Sequence, residues 1–260
     1  MKLPGVARRL LDPFTERIAV PVVGGVNAGR WWGVASAGSG YASGRRASAQ
    51  MRVLEALVQE RDVAWDVGAH HGYVTLMMSR RVGATGLVHA FEPSSANSRI
   101  LRRHLRWNRC ANTTVHPLAL GVNECETRFG GGDTSKMHAL GQGSERVRVR
   151  RADRLIAEGL VVAPTFLKVD VEGAEAEFLE GCGSALPPTV RCVIAMHSVE
   201  ADRRCTTWLD AHGFAQFPSR SLRHSREGIW RSDPDLFAVG PAGDPEAVRR
   251  TLERLGAIDA

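Results

Sequence analysis

An α/β fold on a seven-stranded, mostly parallel sheet is what the sequence predicts, and three observations predict it. Short apolar runs alternate with stretches of helical period, the first run ends in a glycine-bearing turn, and the last two runs are separated by turn and polar residues alone. Strand-helix alternation requires crossover units, hence parallel strands with helices on both faces. Five strands arise that way, and the last two runs add a terminal antiparallel hairpin.

Val63 to Val67 reads as the first buried strand and Tyr73 to Val82 as the helix after it. Leu87 to Phe91 is the second strand. Ser94 to Asn108 is a helix with Ser94 or Ser95 as N-cap and an apolar stripe of Ile100, Leu101, His104 and Leu105. Thr113 to Leu118, Thr165 to Val169 and Val190 to Met196 supply the next three strands, with helices over Ala174 to Glu180 and Ala201 to His212. Phe214 to Pro218 and Leu236 to Val239 form the closing hairpin, and Pro245 to Leu255 a trailing helix. Glu124 to Phe129 and Arg146 to Arg150 read as an inserted hairpin, and Gly130 to Gly143 between them as a candidate lid. Ala47 to Gln59 is a helix before the first strand. Residues 1–46, with Gly24-Gly25, Trp31-Trp32 and Gly38-Ser39-Gly40-Tyr41, read as an irregular arm or cap on a domain of residues 47–260.

The turn Asp66-Val67-Gly68-Ala69-His70-His71-Gly72 and the strand end Phe91-Glu92-Pro93 point to a nucleoside-bearing cofactor. Gly68 and Gly72 leave room for a ligand at the turn, and Glu92 at a strand's C-terminal end is placed to accept hydrogen bonds from ribose hydroxyls. A dinucleotide site usually opens on glycine, because its pyrophosphate avoids negative charge. This turn opens on Asp66, which favours a cation such as the ammonium of S-adenosylmethionine.

The 260 residues, 43% hydrophobic, are enough for one enzyme-sized domain. The formal net charge of +6 is carried by arginines spread along the chain without interleaved aromatics, which argues against a nucleic-acid partner. Arg146 to Arg151 alternates with valine and reads as an edge strand with one basic, solvated face. The five cysteines are odd in number and lack C-x-x-C spacing, so a cytoplasmic protein with reduced thiols is expected, with neither disulfide framework nor zinc site. No apolar run reaches the length of a membrane span, and no membrane association is expected.

With these pieces in place, the chain resembles the FkbM-type family of S-adenosylmethionine-dependent methyltransferases over roughly residues 35–240. The Asp66–Tyr73 turn is similar to that family's first motif, Phe91-Glu92-Pro93 to its second and Ala119-Leu120-Gly121 to a weaker third. The most specific block is Leu167-Lys168-Val169-Asp170-Val171-Glu172-Gly173-Ala174-Glu175. The resemblance implies a Rossmann-like class I methyltransferase fold and O-methylation, commonly of natural products or sugars. It implies cofactor contacts at Asp66, Gly68, Ala69, Gly72, Tyr73, Glu92, Pro93, Ala119 and Asp170. One departure stands out: the family often has Glu two positions before the His that follows the fifth strand, and here Ala195-Met196-His197 keeps only the His. A role for that carboxylate, or a metal site built on it, is not carried over.

Methyl transfer needs alignment of acceptor and donor and removal of the acceptor's proton. Asp170 and His197 end adjacent central strands and Glu172 sits on the turn between, so these three are the candidate catalytic residues. A neutral His197 near Asp170 is suited to act as base on a hydroxylated small molecule. In a second reading, Asp170, His197 and Glu172 bind a divalent ion such as Mg2+. Glu175 is expected to be structural, with Lys168 as a partner. A methyltransferase acting on RNA or another macromolecule is the alternative to a small-molecule enzyme.

Overall fold

The computed structural model describes residues 18–34, 36, 39–44, 48–130, 139–141, 143–226 and 234–259. Most of the segment expected to form a lid, Gly130 to Gly143, lies outside them.

The central sheet contains β3 (Val63–Val67), β4 (Leu87–Phe91), β5 (Thr113–His116), β10 (Phe166–Val169), β11 (Arg191–Ala195), β12 (Ala215–Pro218) and β13 (Asp235–Val239), in the order β12-β13-β11-β10-β3-β4-β5. β4 and β10 flank β3, and all the pairings from β5 to β11 are parallel. β13 is antiparallel to both its neighbours, so within the terminal pair it alone runs against the sheet. The C-terminal ends of β4, β3, β10 and β11 therefore share one edge, where ligands of open parallel sheets bind.

Period-2 alternation divides the core between the two faces. Ala64, Val88, Phe166 and Val193 pack on one side with α2 (Ser48–Leu57), α3 (Tyr73–Arg81), α4 (Ser95–Trp107) and α9 (Pro245–Arg254). Trp65, Phe91, Leu167 and Ile194 pack on the other with α5 (Ala152–Ala157), α6 (Glu175–Cys182) and α7 (Val199–Ala211). The cap expected for α4 is Ser94, whose hydroxyl accepts from the Asn97 amide at 3.4 Å. None of the five cysteines is disulfide-bonded. Among the described residues no helix is long and apolar enough to cross a membrane.

Three expectations need correction. The arm is not irregular: β1 (Ala19–Pro21) and β2 (Trp31–Gly33) form an antiparallel hairpin, followed by the one-turn helix α1 (Ser39–Ala42). It docks through Trp32, buried and stacked on His104 with ring centres 4.0 Å apart. The basic run is not an edge strand either. It forms β9 (Glu145–Arg150), which lies inside a second sheet ordered β6-β9-β7-β8, with β6 at Ala119–Leu120, β7 at Cys125–Gly130 and β8 at Ala139–Leu140. The alternation itself holds, since Val147 and Val149 are buried while Arg146 and Arg148 face solvent. Finally, α8 (Arg220–Arg226) occupies part of the segment between β12 and β13 that reads as turn and polar residues; Leu222 is its buried anchor.

Candidate active site

Gly68 adopts φ +80° and Gly72 φ +87° in the turn after β3, a region that L side chains rarely enter. A Cβ on Gly68 would lie 1.9 Å from the carbonyl oxygen of Asp170 on the adjacent strand, and one on Gly72 would meet the Leu101 side chain. The protein's own packing therefore already requires glycine at both positions. The amides of Gly68 and Ala69 both donate to the Phe91 carbonyl at 3.0 Å, and the His70 amide donates to Glu92 Oε2 at 2.7 Å. Three successive donors that a pyrophosphate would need are already used.

Glu92 is 4% exposed. Besides the His70 bond, its Oε1 accepts from the Ser94 amide at 2.9 Å and from Asn97 Nδ2 at 3.3 Å. Burial raises the pKa of this carboxyl, and those hydrogen bonds together with Lys168 act against the rise. Expected at the ribose, Glu92 is thus first the clamp that ties the turn to β4 and α4. Glu92→Ala should strand these donors and lower folding stability by about 1–3 kcal/mol. Chemical denaturation checks it, and an unchanged midpoint would contradict the clamp.

Asp66 is fully buried, with Oδ2 accepting from Thr75 Oγ1 at 2.6 Å and Lys168 Nζ 3.1 Å from Oδ1. The register pairs Lys168 directly with Asp66 on β3, and Nζ also donates to the Gly68 carbonyl at 3.1 Å and lies 3.4 Å from Asp170 Oδ2. Burial opposes the ammonium, but Asp66 and Asp170 outweigh it and raise its pKa. Asp66, expected to attract a ligand's cation, has Lys168 as its counter-charge within the protein. Lys168 is likewise not the partner of Glu175.

Glu175, fully buried, instead accepts from Nδ1 of His197 at 2.7 Å and from the Gly173 amide at 3.0 Å. Nε2 of His197 faces Asp170 Oδ1 and Glu172 Oε2, each at 3.5 Å. Desolvation works against the imidazolium, yet the Glu175 hydrogen bond and the charges of Glu175, Asp170 and Glu172 prevail, raising the pKa to about 9. Where a neutral His197 was expected, these surroundings favour the imidazolium in the ion-free chain. Glu172 sits in the left-handed region, φ +53°, which turns its side chain back toward the β11 end.

The structure thus brings Asp170, Glu172 and His197 together beside the Gly68 turn. Tyr73 is set apart, its ring buried among Trp32 and Tyr41, while its carbonyl accepts from Asn27 Nδ2 at 2.7 Å. Ala69 is buried within the turn. Pro93 is half-buried where β4 leaves the sheet. Ala119 is buried in β6, paired with Val149. Sequence reasoning missed Lys168 as counter-ion to Asp66 and Glu175 as the holder of His197. The first had a signal, since Lys168 and Asp170 alternate with period 2 on one strand; the second had none.

The methyltransferase FkbM domain matches residues 66–256 of the chain, from the Asp66 turn past β13. The chain belongs to the FkbM methyltransferase family. This FkbM chain is 30% identical over 155 residues to the hexuronic acid methyltransferase AglP of Haloferax volcanii, covering 57% of the chain and 61% of the relative. It is also similar to the structure of a methyltransferase FkbM from Methylobacillus flagellatus KT, at 21% identity and TM-score 0.49 over 68% of this chain and 43% of that one. An O-methyltransferase from Bacillus cereus in complex with SAH aligns at 14% identity and TM-score 0.50 over 74% and 80% of the two chains. The FkbM chain therefore spans less than two thirds of AglP and less than half of the Methylobacillus protein. The B. cereus likeness shows the fold alone, the Rossmann-like sheet described above.

Proposed function

We propose that the chain transfers a methyl group from S-adenosylmethionine to a hydroxyl of a small molecule, a sugar acid or other polyhydroxylated metabolite. The observation that carries this is the meeting of Asp170, Glu172 and His197 at the sheet's C-terminal edge, beside a turn whose Gly68, Ala69 and His70 amides are already bonded. With those three amides used, such an edge suits a pyrophosphate poorly and offers a sulfonium and an ammonium negative charge. Similarity to a hexuronic acid methyltransferase supports a sugar-type acceptor.

When bound, the donor supplies a carbon already activated by the sulfonium, so that the acceptor's O–C bond forms as the S–C bond breaks and its electron pair stays on sulfur. Asp170, with its backbone fixed against Gly68 and its side chain between Lys168 and His197, holds the donor's methionine part. Glu172 and His197 orient the acceptor hydroxyl, and the Glu172 carboxylate passes its proton to water. Glu92 orders the turn over which the ribose lies. Residues 1–46 act as a cap on the domain that begins at residue 47, with Asn27 bonded to Tyr73 and Gly33 to His104.

Purified protein incubated with methyl-labelled donor and a panel of hydroxylated acceptors, hexuronic acids included, is expected to place label in a base-stable ether. Donor binding without label in any acceptor would overturn the reaction. Glu172→Gln should lower turnover by at least about 10² while donor affinity is nearly kept. Asp170→Asn should weaken both, and calorimetry beside initial rates separates the two. A micromolar dissociation constant for NAD would contradict the cofactor.

A further inference from the structure

We propose that Asp170, Glu172 and His197 form a divalent-cation site for Mg2+ or Mn2+, with Glu175 positioning the imidazole; the ion's role at the acceptor hydroxyl rests on the methyl-transfer reading above. The geometry on the two sides of the His197 ring differs. The Nδ1 contact with Glu175 closes to 2.7 Å, as a charge-assisted hydrogen bond should. The Nε2 contacts with Asp170 Oδ1 and Glu172 Oε2 both stop at 3.5 Å. Neighbouring ligands around one octahedral ion, with metal–ligand distances of about 2.1–2.5 Å, stand about 3–3.5 Å apart. All three donor atoms lie within 4.8 Å of one another, a span that one coordination sphere covers.

Glu175 adds an observation from outside the donor set. It is fully buried, and its Oε2 has no hydrogen-bond partner among the described residues. A buried carboxylate with an idle oxygen is costly unless positive charge lies close by. Through Nδ1–H it also fixes the tautomer, leaving Nε2 as the ligand atom, the carboxylate-histidine relay that supports metal-bound imidazoles. An ion seated there takes the place of a proton at Nε2. Two carboxylates with one imidazole make an oxygen-rich set suited to Mg2+ or Mn2+ rather than to a thiolate-seeking metal. The carboxylates come from the β10 end and the following turn, so the site does not depend on a carboxylate at position 195, where this chain has Ala.

Side chains of Asp170 and Glu172 are 41% and 39% exposed, which leaves coordination positions open toward the cleft for the acceptor's hydroxyl. Bound there, the hydroxyl's pKa falls, its proton leaves to water and the resulting alkoxide is held for attack on the methyl carbon.

The test is Mn2+ titration of chelator-stripped protein, read by electron paramagnetic resonance and calorimetry. Saturable uptake of one ion per chain, displaced by excess Mg2+, is expected. Affinity should fall about 10–100-fold in Glu175→Gln, and at least tenfold in Glu172→Gln and His197→Ala, with circular dichroism unchanged. Glu172, the exposed member, keeps the test open if the buried variant fails to fold. Absence of saturable Mn2+ uptake at millimolar concentration, or uptake unaltered by Glu172→Gln, overturns the site. Mn2+ uptake without methylation of any acceptor supports the site and sinks the reaction; methylation that survives chelation, with no uptake, does the opposite.

Discussion

Lys168→Met is expected to destabilise the fold by about 3–5 kcal/mol, the range for removing one partner of a buried ion pair. Asp66 is fully buried, its Oδ2 is bonded to Thr75, and Oδ1 has Lys168 Nζ at 3.1 Å as its counter-charge. Without the ammonium, Asp66 must stay charged in a dry site or take up a proton, and both cost free energy. The Gly68 carbonyl loses its donor as well. The double variant Asp66→Asn with Lys168→Met removes the orphaned charge, so it should recover part of the loss. Urea unfolding of both decides it: a loss below about 1 kcal/mol in Lys168→Met would mean that the pair is not what holds β3 against β10.

Acidification should loosen the molecule between pH 6.5 and 4, starting where the arm meets α4. His104 is fully buried; its Nδ1–H donates to the His71 carbonyl at 2.7 Å and its Nε2 accepts from the Gly33 amide at 3.0 Å. Burial above all, with His71 and Arg103 adding to it against the His71 hydrogen bond, lowers its pKa from 6.5 to about 4. A proton on Nε2 would face the Gly33 N–H, donor against donor. The fold therefore keeps the neutral ring, whereas the unfolded chain protonates below its ordinary pKa. Stability is complete above pH 6.5 and is lost as pH falls toward 4, by something on the order of 3 kcal/mol for His104 alone. A cation–π gain over Trp32, about 1–2 kcal/mol at most, does not offset this. His116 shifts the same way, to about 4, through burial with His89 and Arg102 behind it. His197 has the opposite sign: its pKa of about 9 gives stability that is complete below 6.5 and lost as pH rises toward 9. The contributions of these three histidines to the ion-free chain are together greatest near pH 6.5. Tryptophan fluorescence through an acid titration tests the joint, and a profile flat from pH 7 to 4, or one unmoved by His104→Gln, would refute it.

Much of the fold was legible because each central strand is an apolar run closed by a turn residue, and because Ser94 and the Pro245 start mark helix ends with local chemistry. β6 was not, since two residues cannot show a period, and without it β9 looked like an edge. Nor was α8, whose sequence is mostly polar and whose buried side chains, among those described, are Leu222 and Ser225. At the site, Asp170, Glu172 and His197 were found by their places at strand ends. The proton on His197 was not, because it depends on which side chains cross beneath the edge. Glu175 reaches His197 from the helix between the two strands, and Lys168 meets Asp66 only through the register of β3 with β10.

The same register sets a timetable for synthesis. Lys168 lies 100 residues beyond Gly68, whose carbonyl it binds, and roughly as far beyond Asp66. At about 5–20 residues per second, a ribosome needs roughly 5–20 s to make that stretch. Through that interval β3, β4 and β5 have emerged with an acidic side chain at the centre of the future sheet and nothing to balance it. The nascent half should therefore stay open and wait, closing around Asp66 when β10 arrives.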